Sequence, residues 1–212
     1  MEEFNVQQLA MPFMCILPDC KESLTNSTIV SHFCSLHRVD FQEIAFNEKI
    51  LMMVSTEDNF LTYGHSVCLG IVGIRNKCQE RDDISSSSSI KDIEHFPNPF
   101  PILIMAKRSN YQQILEIDSG DREVDKNSDF LMLWLSMPKV NDHKLHAILS
   151  VYNEDYSTSI SKSVNVKYIT DNSNISEVIN GSNHLIINSG ILKKLSSDDS
   201  IILEIILKEN LL

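Results

Sequence analysis

Residues 145–151 read LHAILSV, and the alternation in that stretch decides the fold class. Leu145, Ala147, Leu149 and Val151 fall on one side of an extended chain, and His146 and Ser150 on the other. A period of two is what a strand with one buried face requires. Residues 201–208, IILEIILK, repeat it, with Ile201, Leu203, Ile205 and Leu207 opposite Glu204 and Lys208. So do residues 163–169, SVNVKYI, where Val164, Val166 and Tyr168 are expected to face inward and Asn165 and Lys167 outward. Five other runs are apolar throughout: KILMMV, SVCLGIVGI, PILIMA, FLMLWL and HLIIN. Such runs fit strands buried on both sides or at a sheet centre; periodicity alone also admits short helices, but their shortness favours strands. Roughly nine strands spaced by turn residues read as an all-β sandwich or barrel. One short helix is expected after Ser189, in SGILKKLSS.

The chain has 212 residues, 42% hydrophobic and 22% charged, a globular composition large enough for a core without disulfides. No apolar run reaches the ~20 residues of a membrane helix, and the opening MEEFNVQQLAMPFM lacks the basic start of a signal peptide. Eighteen basic against 29 acidic residues give a net charge of −11, which argues against duplex nucleic acid as a bulk partner. Five cysteines without an export signal point to a reducing compartment, nuclear or cytoplasmic. The expected organisation is a loose tail over 1–12, a separate small Cys/His unit over 13–38 and a sandwich over 39–212. Within the sandwich, the Ser-rich stretch 79–96 reads as a mobile loop, with a phosphorylated acidic-serine switch as the alternative.

The sharpest local signal is FMCILPDCKESLTNSTIVSHFCSLH, residues 13–37. Cys15 and Cys20 are followed by His32 and His37, within one residue of the spacing of a two-cysteine, two-histidine zinc finger. Two thiolates on a hairpin knuckle and two imidazoles about one helical turn apart can converge on a tetrahedral Zn²⁺. A spacing of five keeps both histidines nearly on one helix face if the helix end loosens. Phe13, Leu24 and Ile29 occupy the three positions of a finger's small core. Cys34 is a rival ligand, but it lies only two residues from His32, which a helix splays to different faces, so His37 is the expected fourth ligand. Where such a finger reads bases, this chain has Thr25, Thr28 and Ser31, none able to make bidentate base contacts. A structural or protein-binding finger is expected.

The C-terminal stretch from Leu145 to Leu207 resembles the end of the seven-in-absentia (SINA/SIAH) substrate-binding domain, a TRAF-like antiparallel β-sandwich. The resemblance is carried by His146-Ala147-Ile148-Leu149, Val164 to Ile169, Leu185 to Asn188, the helical turn Ile191 to Leu195, and Ile201 to Leu207. The order finger-then-sandwich is similar as well, and the layout also looks like an insect-type uncharacterised family pairing one finger with such a sandwich. There is no RING, since the first 14 residues hold no Cys or His, so ligase activity is not implied. What the resemblance does imply is a non-catalytic adaptor that takes a partner's extended peptide along a sheet edge and can form a homodimer. The peptide-binding surface is expected in the C-terminal half, at Asn165 and Lys167. Pro97, Pro99 and Pro101, just before PILIMA, read as the blunting of an edge strand.

Other groupings read as ordinary surface or core. His65, Cys68 and Cys78 would need a fourth ligand to make a second metal site, with His95 the only near candidate, and Cys68 sits in an apolar run where a buried thiol is ordinary. His143 and His146 fall on opposite faces. Asp118, Asp121, Glu123 and Asp125 resemble a calcium loop only superficially, since the glycine is misplaced and no bidentate Glu closes it. Trp134 reads as a core residue. No catalytic motif is present, so an enzyme is not expected. The alternatives to an adaptor are a nucleic-acid-associated regulator using the finger, and a substrate-recognition subunit of a ubiquitin ligase that lacks its own RING.

Overall fold

The computed structural model describes residues 12–57, 61–74, 100–111, 129–139, 144–169, 183–196 and 198–208. The Ser-rich stretch 79–96 and the Asp118–Asp125 cluster lie outside these residues, as do Cys78, His95 and His143. The described residues form twelve strands and two helices. A first hairpin pairs β1 (Phe13–Met14) with β2 (Ser23–Leu24), and α1 (Ile29–Leu36) follows.

A six-stranded sheet holds β3 (Phe41–Ile44), β5 (Ser66–Ile74), β6 (Phe100–Asn110), β7 (Asp129–Met137), β10 (Lys167–Tyr168) and β11 (Leu185–Asn188). A four-stranded sheet has the order β4 (Lys49–Ser55), β12 (Ser200–Lys208), β8 (His146–Tyr152), β9 (Ser159–Asn165). The chain is mainly β, and its sheets pack face to face. The main pairs are antiparallel; two short edge pairs, β3 on β5 and β10 on β7, run parallel.

The alternating residues of β8 and β12 do what their period demands. Ala147, Leu149 and Val151 join Ile201, Leu203, Ile205 and Leu207 in the core between the sheets. From the facing sheet come Ile102, Ile104 and Ala106 of β6 and Leu131, Leu133 and Leu135 of β7. The other faces of β6 and β7 are buried too. Leu103, Met105, Phe130, Met132 and Trp134 form a second cluster with Ile29 and Phe33 of α1 and with Leu24. The fold is therefore three layers, with the six-stranded sheet in the middle. This is why PILIMA and FLMLWL are apolar at every position. Residues 13–38, expected from the sequence as a separate unit, share this buried cluster with the sheet through Leu24, Ile29 and Phe33, while Met14 and Leu36 stay exposed. Ile29 and Phe33 are completely buried there, each contributing about 1.5–3 kcal/mol of transfer free energy.

Three further readings change. KILMMV is not buried on both sides: it is the edge strand β4, with Leu51 and Met53 53% and 72% exposed. Pro101 does not blunt an edge, because β6 is central; it sits where β6 pairs with Gly73 of β5 before the pairing with β7 begins at Leu103. SVNVKYI is not one strand. It crosses from the four-stranded to the six-stranded sheet at Val166, whose N–H donates to the Leu145 carbonyl at 2.9 Å. Val164 and Val166 are buried and Tyr168 half-buried against the core, as the alternation requires. Asn165 and Lys167, however, belong to different sheets.

The expected helix after Ser189 is α2 (Ser189–Leu195). Asn188 caps it, its side-chain oxygen accepting from the Ile191 N–H at 2.9 Å.

Candidate metal centre

The knuckle is built by short backbone bonds. Cys15 N–H donates to the Glu22 carbonyl at 2.9 Å, and Cys20 N–H to the Leu17 carbonyl at 3.0 Å. This places both thiols on the side of the hairpin that faces α1. His32 lies within α1, while His37 is the residue at which the helix stops, with φ −100 and ψ −2. That loosened end swings a histidine five residues on back toward its partner, and the two rings meet edge-on with centroids 4.9 Å apart.

The four donor atoms of Cys15, Cys20, His32 and His37 all lie within 4.8 Å of one another. Cys15 Sγ is 3.6 Å from His37 Nε2, Cys20 Sγ is 3.6 Å from His32 Nε2, and the two Nε2 atoms are 3.1 Å apart. Four ligands at ordinary zinc distances would have sulfur–nitrogen edges of about 3.6 Å and a nitrogen–nitrogen edge of about 3.3 Å. The donor set fits a tetrahedral cation, and these four residues can bind a metal ion. Cys34 is not among them; its half-buried side chain packs in the cluster under the sheet.

Electrostatics agree. Burial, reinforced by the neighbouring Cys20, pushes the Cys15 thiol up to about 11, against a backbone N–H at Leu17 that favours the thiolate. Burial, and then the neighbouring His32, lower the His37 pKa, so its imidazole is held neutral with a lone pair available. A cation between the four reverses the penalty on the thiolates.

The chain turns sharply after His37. Arg38 is left-handed, with φ 55, and Val39 N–H returns to the Phe33 carbonyl at 3.2 Å. A non-glycine residue there costs roughly 1–2 kcal/mol. Arg38→Gly is therefore expected to leave the melting temperature unchanged or raise it, by up to about 1 kcal/mol of stability. A clear loss in a thermal melt would show that the Arg38 side chain contributes more than its backbone costs.

Among the described residues no second ligand cluster forms. Cys68 is a core thiol: its S–H donates to the Gly70 carbonyl at 3.4 Å, and burial pushes its pKa up to about 12. His146 lies on the outer face of β8, with Nδ1 2.7 Å from Asn165 Oδ1 on β9. Asn165 in turn donates to Asn183 at 3.2 Å. Lys167 is on the other sheet, opposite Ser136 of β7. The hydroxyls at the start of α1 are used locally: Thr28 Oγ1 accepts from the Thr25 N–H at 2.9 Å, and Ser31 Oγ donates to the Thr28 carbonyl at 3.0 Å.

What the sequence reading missed is the docking of the finger on the sheet. The signal was present: two central strands apolar on both faces need a cover on each, and Phe33 and Val39 are apolar residues left over once a small finger core is filled.

No helix among the described residues is long and apolar enough to cross a membrane. No curated protein matches the chain. The model of a family described as Domain of unknown function (DUF4729) matches residues 14–198. That match runs through all four metal-ligand residues and every strand of the two sheets except β12, and the chain belongs to the DUF4729 family.

Proposed function

We propose that this protein is a non-catalytic interaction module, in which a zinc ion fastens the finger to the sheet and the sandwich offers an edge strand to an extended peptide of a protein partner. The observation that carries this reading is the side of β9 on which, among the described residues, no strand pairs. Val166 pairs with Leu145 through a backbone bond, and antiparallel bonding alternates along the ladder. Ser159, Ser161, Ser163 and Asn165 therefore turn their N–H and C=O groups away from β8, toward the side on which no strand pairs with β9 among the described residues. A peptide strand adding there gains main-chain hydrogen bonds, while side chains alongside set its identity. Lys162, on the inward-turned side of β9, favours a partner strand that brings an acid. Lys167, on the other sheet, is not part of this edge. The likeness to the SINA-type sandwich supports the same mode of binding.

Two thiols placed as metal ligands, Cys15 buried and Cys20 half-buried, fit a reducing compartment, the nucleus or cytoplasm. A nucleic-acid role has less support, because the base-reading positions hold hydroxyls already bonded within the helix start.

The test is affinity purification of the intact chain beside a Ser163→Pro variant, which removes an outward N–H without breaking a β8 bond. Loss of the co-purified protein in the variant, with an unchanged melt, is the expected result. Retention of that protein, combined with its loss on substituting the exposed finger residues Ser31 and Ser35, would move the binding site to the finger. Salt-dependent oligonucleotide binding would favour the nucleic-acid reading.

A further inference from the structure

Along β9 one side chain is out of place. Ile160, Lys162 and Val164 point between the sheets and stand opposite Val151, Leu149 and Ala147 of β8. Val164 is buried, and Ile160 is half-buried against the core. Lys162 lies between them, in one row with Leu149 and Ile205. It is half-buried, and among the described residues no carboxylate or other acceptor holds its ammonium group. At the far end of the strand, Asn165 donates to Asn183 at 3.2 Å, which brings the chain ahead of β11 beside that end. The stretch clear of this contact is Ser159 to Val164, with Lys162 inside it.

An inward-turned lysine on an edge strand ordinarily blocks pairing. An apolar strand laid along β9 would cover the ammonium group and leave it dry and unpaired. A second copy of β9, laid antiparallel about Lys162, would set two ammonium groups against each other. A strand with a carboxylate facing Lys162 replaces both penalties with an ion pair. The ladder fixes how close that carboxylate comes. Ile160, Lys162 and Val164 spend their backbone groups on β8, so with an added antiparallel strand they form the non-hydrogen-bonded pairs, whose side chains stand closest.

Resting on the edge-binding reading above, we propose that Lys162 selects the partner: β9 takes an antiparallel strand with a carboxylate facing Lys162 and apolar side chains facing Ile160 and Val164, and rejects a strand that is apolar at all three positions.

The charge around β9 makes this a local demand and not a general taste for acidic peptides. The chain carries −11, and Glu154 and Asp155 lie exposed in the turn that leads into β9, so an acid-rich strand is repelled overall. A carboxylate gains only where it meets Lys162. The outer face makes no comparable demand. An added strand there lies beside Ser159, Ser161 and Ser163, small and uncharged, and the Ser161 hydroxyl already donates to Ser150 at 2.8 Å. Selection therefore falls on the inward-facing side chains of the partner, in the order apolar, acidic, apolar at alternate residues.

The test titrates the full chain, followed through its backbone amide NMR signals, with acetylated peptides of the sequence Thr-Val-Thr-X-Thr-Val-Thr, where X is Glu, Gln, Val or Lys. The Glu peptide is expected to shift the amides of Ser159, Ser161 and Ser163 at concentrations up to about 1 mM, and to bind at least ~10-fold more tightly than the other three. In Lys162→Glu the order should invert, with the Lys peptide binding best. In Lys162→Met the Val peptide should bind best, which keeps the test decisive if Lys162→Glu melts early. Equal affinity of the Glu, Gln and Val peptides at those amides overturns the role of Lys162 and leaves the edge reading standing. No shift at those amides with any of the peptides, or binding that Ser163→Pro leaves unchanged, overturns the edge reading and this proposal with it.

Discussion

Stripping the metal from the purified protein, by chelation or by Cys15→Ser, is expected to shift the fluorescence of Trp134 to the red and lower the melting temperature by about 10 °C or more. Trp134 is the single tryptophan, is 6% exposed and lies in the cluster shared by α1 and the six-stranded sheet. The hairpin and α1 are too small to hold their shape by apolar burial alone. Without the ion, four crowded donors replace a filled site and the finger loses its fold. The face carrying Leu103, Met105, Phe130, Met132 and Trp134 then meets water. Loss of even ~4 kcal/mol in a chain of this size moves the melt by roughly 8–16 °C. The core between the two sheets is separate from that face, so far-UV dichroism should keep its strand signal. Metal analysis of the untreated protein should give one zinc per chain. An unchanged emission spectrum after verified metal removal would show that the finger docks without an ion.

Val166→Asp is expected to cost more than any substitution at its neighbours, about 4 kcal/mol or more, enough to leave much of the protein unfolded at 37 °C. Val166 is the single residue between β9 and β10. It is buried in the inter-sheet core, and its N–H is already bonded to Leu145, so a carboxylate there has no partner and no route to solvent. Asn165→Asp, one residue away and exposed, should change stability by about 1 kcal/mol or less, the worth of its bonds to His146 and Asn183. Denaturant melts of the two variants decide it. Equal midpoints would mean that the crossing between sheets yields to admit water.

How much of this was legible in the residues depends on which physical signal each part leaves. β8 and β12 bury one face, and their alternation was readable at single-residue resolution. The four ligands were readable because metal geometry constrains spacing, and His37 over Cys34 followed from which side of a helix each can reach. β4 was misread because an edge strand that is apolar on both faces looks like a central one. Leu51 and Met53 leave the same letters whether they are covered by protein or meet solvent. The split of SVNVKYI was invisible for a related reason: a strand that changes sheets keeps its inward and outward alternation, and only the pairing partner changes. β3, FQEI, carries no period at all, and its place is set by β5 rather than by its own side chains. The parallel pairing of β3 and β10 likewise has no local signature.

The three-layer arrangement also imposes an order of events during synthesis. The ligands and hairpin of the finger emerge together, and with metal they can close locally. The surface that α1 covers is not made until β7 has left the ribosome, about 100 residues later, which is roughly 5–20 s at ordinary elongation rates. β4 waits longer: Lys49 and its partner Glu204 are 155 positions apart in the chain, so its sheet cannot assemble until that last partner arrives. Contacts so distant along the chain make folding slow. For that interval an apolar helix face and an unpaired β4 are both bare on the nascent chain. An early-bound ion would keep the first of these in a defined shape, and the second would be the segment most in need of a chaperone.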